Sequence, residues 1–253
     1  MMLAYLGKLP AGRPILAAFV LWCGVCVALK VTGQSRASSK ANEKNITDKT
    51  VYVKKGYSLT FINKSGDFDT DVRDRLVRTF FRVYPREAHA FNRRSARKVT
   101  FIIDPDYKGV AATSGTTVRY NPLWFKAHPE DIDVVTHEAM HIVQAYHSGY
   151  KPGWLVEGIA DYVRYVYGVN NKAAGWTLPD YNPKQSYKNA YRITARFLVW
   201  VNTKYGKSVV KKLDAALRGG RYKTRLWEQI TGHPLDALWK EYGENPVLRL
   251  NYR

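Results

Sequence analysis

Cysteine is nearly absent from the sequence. Of 253 residues only Cys23 and Cys26 are cysteines, and both lie in an apolar leader. A body freed of that leader forms no disulfide, and cysteine-rich zinc patterns are excluded. Methionine is almost as scarce, with Met140 the sole one beyond Met1 and Met2. Acids are few as well: 21 Asp and Glu stand against 40 Lys and Arg, a formal charge of +19. Such a surplus favours anionic partners, an anionic polymer or a membrane surface. The bases are spread along the chain, without a zinc-finger, RNP or basic-zipper pattern, so no specific nucleic-acid recognition is expected. The apolar run Ile15–Leu29 is broken by Gly24 and falls short of the roughly 20 residues of a full membrane helix.

What is present begins with that leader. Lys8 and Arg13 flank an apolar stretch of signal-peptide length, and Cys26-Val27-Ala28 and Ser35-Arg36-Ala37 are both small-x-small cleavage candidates. Residues 1–37 are therefore expected to be a signal peptide or an N-terminal anchor held by residues 14–29. The product would be secreted, periplasmic or extracellular. Residues 38–50 are polar and aperiodic and read as a linker. Residues 51–250 form the expected folded domain. Apolar residues make up 45% of the chain and charged residues 24%, the balance of an ordinary globular protein.

Along that domain the pattern changes. Val51–Val53 and Ser58–Ile62 read as two strands around Lys55-Gly56. Val72, Leu76, Phe80 and Val83 share one helical face, and Pro85 is expected to end that helix. Val99–Ile103 and Thr116–Tyr120 read as further strands. From residue 129 the signal is helical, with helices expected over 131–146, 154–167, 188–204 and 207–218 and two short ones near 224–230 and 234–242. The fold class is thus α+β: a small mixed sheet with a helix, then helices.

The segment carrying chemistry is His137-Glu138-Ala139-Met140-His141. Residues i and i+4 share a helix face, so both imidazoles can meet one zinc ion. Glu138 lies about 100° round the helix, beside a zinc-activated water, in the place of a general base. A catalytic zinc takes three protein ligands, and two residues compete for the third place. His147 has the spacing of the HExxHxxGxxH pattern. However, Gln144 stands where that pattern needs glycine, and no methionine follows for its Met-turn. Glu157, in Trp154-Leu155-Val156-Glu157-Gly158-Ile159-Ala160-Asp161, is the stronger candidate. Turns at Ser148-Gly149 and Pro152-Gly153 let a second helix fold back. Asp161, four residues on, shares the face and can accept the second N–H of His137. Gly158 leaves room for the two helices to approach.

These segments carry a resemblance. WLVEGIAD resembles the WLxEGxA segment of the gluzincin metallopeptidases. VVTHEAMHIVQ through LVEGIADYVRY, with TARFLVWVNTKYG, LDAALRGGRY and LWEQITGHPLDALW, resembles the basic secretory protein family of plants and bacteria. The short gap from His141 to Glu157 and the presence of His147 depart from the pattern. The resemblance implies a zincin-like fold and a zinc peptidase acting on peptide or protein substrates, with Glu138 as base and an extended substrate along Thr116–Tyr120 as an edge strand. A second electrophile is needed for the oxyanion; Tyr191 is the first candidate, then Tyr187, with His147 and Arg192 behind them. The competing reading is a zinc-containing but non-catalytic protein, or a basic protein that binds anionic polymers.

Overall fold

The computed structural model describes residues 48–147, 149 and 151–253. The expected leader, its cleavage sites and most of the linker lie outside the described residues. Among the described residues no helix is long and apolar enough to cross a membrane.

Two strands open the fold, β1 (Asp48–Lys54) and β2 (Tyr57–Asn63), paired antiparallel. They turn at Lys55 and Gly56, both at positive φ, the conformation that a tight two-residue hairpin demands. Helix α1 (Thr70–Phe91) follows, capped by Asp69, whose carboxylate accepts from the amides of Asp71 and Val72. Then come β3 (Lys98–Ile103), β4 (Ala111–Ser114) and β5 (Thr117–Tyr120). The sheet order is β1-β2-β3-β5-β4, with β3 parallel to both neighbours. Period-two alternation puts Leu59, Phe61, Val99, Phe101, Ile103, Val118 and Tyr120 on the buried face. There α1 lays down Leu76, Phe80, Val83 and Tyr84, with Phe80 edge-on to Phe101 at 5.4 Å.

Two expectations change here. Pro85 does not end α1, which runs six residues further. A proline forfeits one helical hydrogen bond, but Tyr84, Glu87 and Ala88 around it are fully buried, and the Tyr84 hydroxyl donates to the Ala96 carbonyl. Packing outweighs local propensity. The strand Thr116–Tyr120 is not an edge: as β5 it pairs with β3 on one side and β4 on the other. The edge is β4, whose Ala-Ala-Thr-Ser carries almost no strand signal.

The remainder is helical: α2 (Pro122–Ala127), α3 (Val134–Gln144), α4 (Gly153–Tyr167), α5 (Tyr191–Tyr205), α6 (Val209–Arg218), α7 (Leu226–Thr231) and α8 (Leu235–Glu244). Helix α3 starts three residues later than expected, because residues 131–133 form a turn whose acids serve other partners. Phe197 of α5 holds the C-terminal helices together, its ring 5.2–5.9 Å from those of Trp239, Tyr242 and Trp227. The whole is α+β, as the sequence leads one to expect.

Candidate metal centre and cleft

Helices α3 and α4 are stapled at both ends. Asp133, just before α3, accepts from the amides of Val169 and Asn170 just after α4. At the other end the Gln144 amide nitrogen donates to the Val156 carbonyl at 2.9 Å. The two helices therefore run antiparallel in fixed register, and Glu157 arrives opposite His137 and His141.

Three donor atoms converge. His137 Nε2 lies 3.1 Å from His141 Nε2, and Glu157 Oε2 lies 3.2 Å and 3.5 Å from the two nitrogens. Tetrahedral ligands about 2.0–2.1 Å from a zinc ion would be about 3.3 Å apart, so this triangle has the size such an ion needs. The proton positions agree. His137 Nδ1 donates to Asp161 Oδ1 at 2.7 Å, and His141 Nδ1 donates to Gln144 Oε1 at 2.7 Å. Because the Gln144 nitrogen is committed to Val156, its oxygen must face the ring, which fixes the His141 tautomer. Each Nε2 is thus the ring atom turned towards the Glu157 carboxylate. These three side chains form a group that could hold a metal.

The electrostatics favour a cation at this point. Burial by itself would lower the His137 pKa, but Asp161, Glu157 and Glu138 outweigh it and raise the value to about 10. Burial likewise works to raise Glu157, yet the two histidines hold it far below the ordinary carboxylate range. Negative surroundings that retain a proton also attract a divalent ion, which displaces that proton on binding.

Glu138, the next residue round the helix, lines the same cleft, is only 6% exposed and lies against the sheet edge. The Thr113 hydroxyl of β4 donates to its Oε2 at 2.6 Å, and the Thr113 Oγ1 also lies 3.1 Å from the Glu138 carbonyl oxygen. The Tyr191 ring stacks on His137, 6.2 Å between centroids and 16° between planes, and is 55% exposed. Its neighbour Ala190 and Tyr191 itself both have positive φ, a strained pair of the kind that gathers at functional sites. The nearby Glu157 carboxylate, then burial, push the Tyr191 phenol above its usual pKa, so it stays a donor. All these groups line one cleft of about 1820 Å³ that runs the length of α3.

Other candidates separate. His147 lines the cleft but is exposed and outside the donor triangle, because Ala145 turns left-handed and takes the chain off the helix face. Tyr187 points elsewhere, its hydroxyl donating to Asp236 at 2.8 Å. Arg192 lines the cleft and donates to the Thr177 carbonyl. Gly158 does permit close packing, but against α5 and not α3: a Cβ there would lie 2.2 Å from a Thr194 methyl. Sequence reasoning missed Thr113 and the role of Gln144. The i, i+3 spacing from His141 was an available signal for Gln144; for Thr113 there was none.

The family described as peptidases of plants and bacteria matches residues 60–242. The chain belongs to that family. Among solved structures, this peptidase-family chain is similar to a two-domain M1 zinc metallopeptidase bound to L-tryptophan, at 12% identity and a TM-score of 0.50, covering 81% of this chain and 54% of that one. It is also similar to an aminopeptidase A from Legionella pneumophila in complex with aspartic acid, at 15% identity and a TM-score of 0.54, covering 76% and 27%. At these identities the likeness is one of fold, and the chain spans about half the length of the first and a quarter of the second. No curated protein sequence matches this one.

Proposed function

We propose that this member of a peptidase family is a zinc-dependent peptidase of gluzincin type. In this reading His137, His141 and Glu157 hold the ion, Glu138 is the general base, and Asp161 orients His137. The observation that carries it is the donor triangle, two Nε2 atoms and one carboxylate oxygen 3.1–3.5 Å apart with both Nδ1 atoms bonded away from it.

When bound, zinc supplies Lewis acidity, acidifying water and polarising the substrate carbonyl. The chain's own residues do the rest. Glu138, held through one oxygen by Thr113, has the other to accept the proton of an attacking water and deliver it to the leaving amine. Tyr191, kept protonated, donates to the developing oxyanion. The edge strand β4 offers backbone groups to an extended peptide. The expected signal peptide or anchor at residues 1–37 is the ground for a secreted, periplasmic or extracellular location.

The test is zinc content by elemental analysis, together with hydrolysis of a casein-type substrate, on wild type and on Glu138→Gln and Glu157→Ala. The reading requires about one zinc in wild type and in Glu138→Gln, hydrolysis only in wild type, and loss of zinc in Glu157→Ala. Zinc bound without any hydrolysis in wild type would make the chain a non-catalytic zinc protein.

A further inference from the structure

The charges along the cleft are unequally committed. Every carboxylate lining it has a partner. Glu130 accepts a fork from Arg75, 2.6 Å and 3.0 Å, and a bond from Asn170. Asp131 binds Arg164 and the Trp124 indole. Glu138 is taken by Thr113, Asp161 by His137, and Glu157 by the two histidines. The cations differ. Arg94, Lys151 and Arg192 line the same cleft, and no carboxylate lies within ion-pairing distance of any of them among the described residues.

Their placement is uneven too. Asn92 donates to the Val143 carbonyl, tying the exit of α1 to the last turn of α3, which brings Arg94 to that end. Lys151 lies in the segment between α3 and α4, and exposed His147 lies there as well. Arg192, next to Tyr191, donates to the Thr177 carbonyl beside Trp176 and so lies towards the start of α3. The rest of the lining at that end is neutral or paired: Trp124, the Asp131–Arg164 pair, and Trp176, over which Arg164 lies at 4.6 Å. Unpaired cations thus stand at both ends of the cleft, Arg94 and Lys151 where α3 ends and Arg192 beside the aromatic lining where it begins.

An enzyme that selects free amino termini must pair a substrate ammonium with an anion beside the reacting bond, since an unpaired buried charge is costly. In this cleft every lining carboxylate already has a partner, and the second oxygen of Glu138 is taken up by its role as base. We propose, building on the peptidase reading above, that the substrates are internal acidic stretches of polypeptide, cut endoproteolytically, with Asp or Glu residues lying against Arg94, Lys151 and Arg192. The +19 charge of the chain raises the local concentration of such substrates before contact.

The experiment uses the full chain with zinc and internally quenched peptides blocked at both ends, identical except for Asp, Ala or Lys on either side of the scissile region. Aminoacyl anilides with a free amine are assayed in parallel. The Asp peptides should exceed the Lys peptides in kcat/KM by about tenfold at low salt, and the gap should close as salt approaches about 0.5 M. The preference should reverse in the double variant Arg94→Glu/Lys151→Glu. Equal rates for Asp and Lys peptides, or anilides cut faster than blocked peptides, would overturn the proposal. Fluorescence anisotropy of the same peptides on Glu138→Gln separates the two readings. Tighter binding of Asp peptides without hydrolysis by wild type keeps the charge preference and removes the catalytic reading. Hydrolysis with no charge preference does the opposite.

Discussion

His137 and His141 stand one turn apart on the same helix and present the same nitrogen to the same point, yet their supports differ in kind. His137 leans on Asp161, a carboxylate from α4. His141 leans on Gln144, a neutral amide three residues along its own helix, which also clasps the Val156 carbonyl of α4. A carboxylate sets the tautomer and strengthens the ring as a donor, whereas an amide sets the tautomer alone. One histidine is thus tuned electrically and the other mechanically, and both supports reach across to α4. The helix pair, more than the motif on α3, is the functional unit.

Removing the atom on which both histidines converge breaks the comparison altogether. Glu157→Ala should empty the site and cost about a thousandfold or more in kcat/KM, read by elemental analysis and peptide hydrolysis. The supports themselves come next. Asp161→Asn should weaken zinc affinity by about 10–100-fold, and Gln144→Leu by less, in competition titrations with a chelator. The reverse order would show that the clasp on Val156 matters more than the carboxylate.

Thr113→Val probes the other face of α3. It should leave zinc content unchanged and lower kcat by about tenfold, the cost of one lost hydrogen bond to a charged group, with KM little altered and Thr113→Ser restoring the rate. An unchanged kcat would mean that Glu138 needs no tether.

The smallest effect sits away from the cleft, where Asp104 after β3 is held by charge in the manner of Asp161. Burial works to raise its pKa, but hydrogen bonds from Arg119 and the Asp106 amide hold it below the ordinary aspartate value. A carboxylate with a lowered folded pKa stabilises fully above the unfolded value near 4 and loses that stabilisation as pH falls through the folded one. Asp104→Asn should therefore cost about 1 kcal/mol at neutral pH, and its melting curve should converge with wild type in acid. A constant difference at all pH values would assign the cost to packing.

Much of the site was legible because its parts are local. His137, Glu138 and His141 announce themselves by helical spacing, and Glu157 with Asp161 by the same spacing one helix later. What stayed hidden is non-local. Strand β4 is four small residues with no alternation to read, so the sheet edge was assigned to β5, which looks more like a strand because it is more deeply buried. Thr113 meets Glu138 across 25 positions. The partner of Gly158 is Thr194, on a helix whose arrival opposite α4 no periodicity encodes. Pro85 misled in the opposite sense, a strong local rule overruled by the aromatic packing around Tyr84.

The Val143 carbonyl, near the end of α3, takes bonds from Asn92 and from Arg218 of α6, and Arg218 also reaches the Phe91 carbonyl and pairs with Asp214. Asp214 in turn binds the Tyr146 hydroxyl just past α3. A chain made from its N-terminus has both histidines in hand some 70 residues before Asp214 and Arg218, which hold the end of their helix, exist. On the ribosome the nascent polypeptide therefore carries both histidines well before this part of their frame can form.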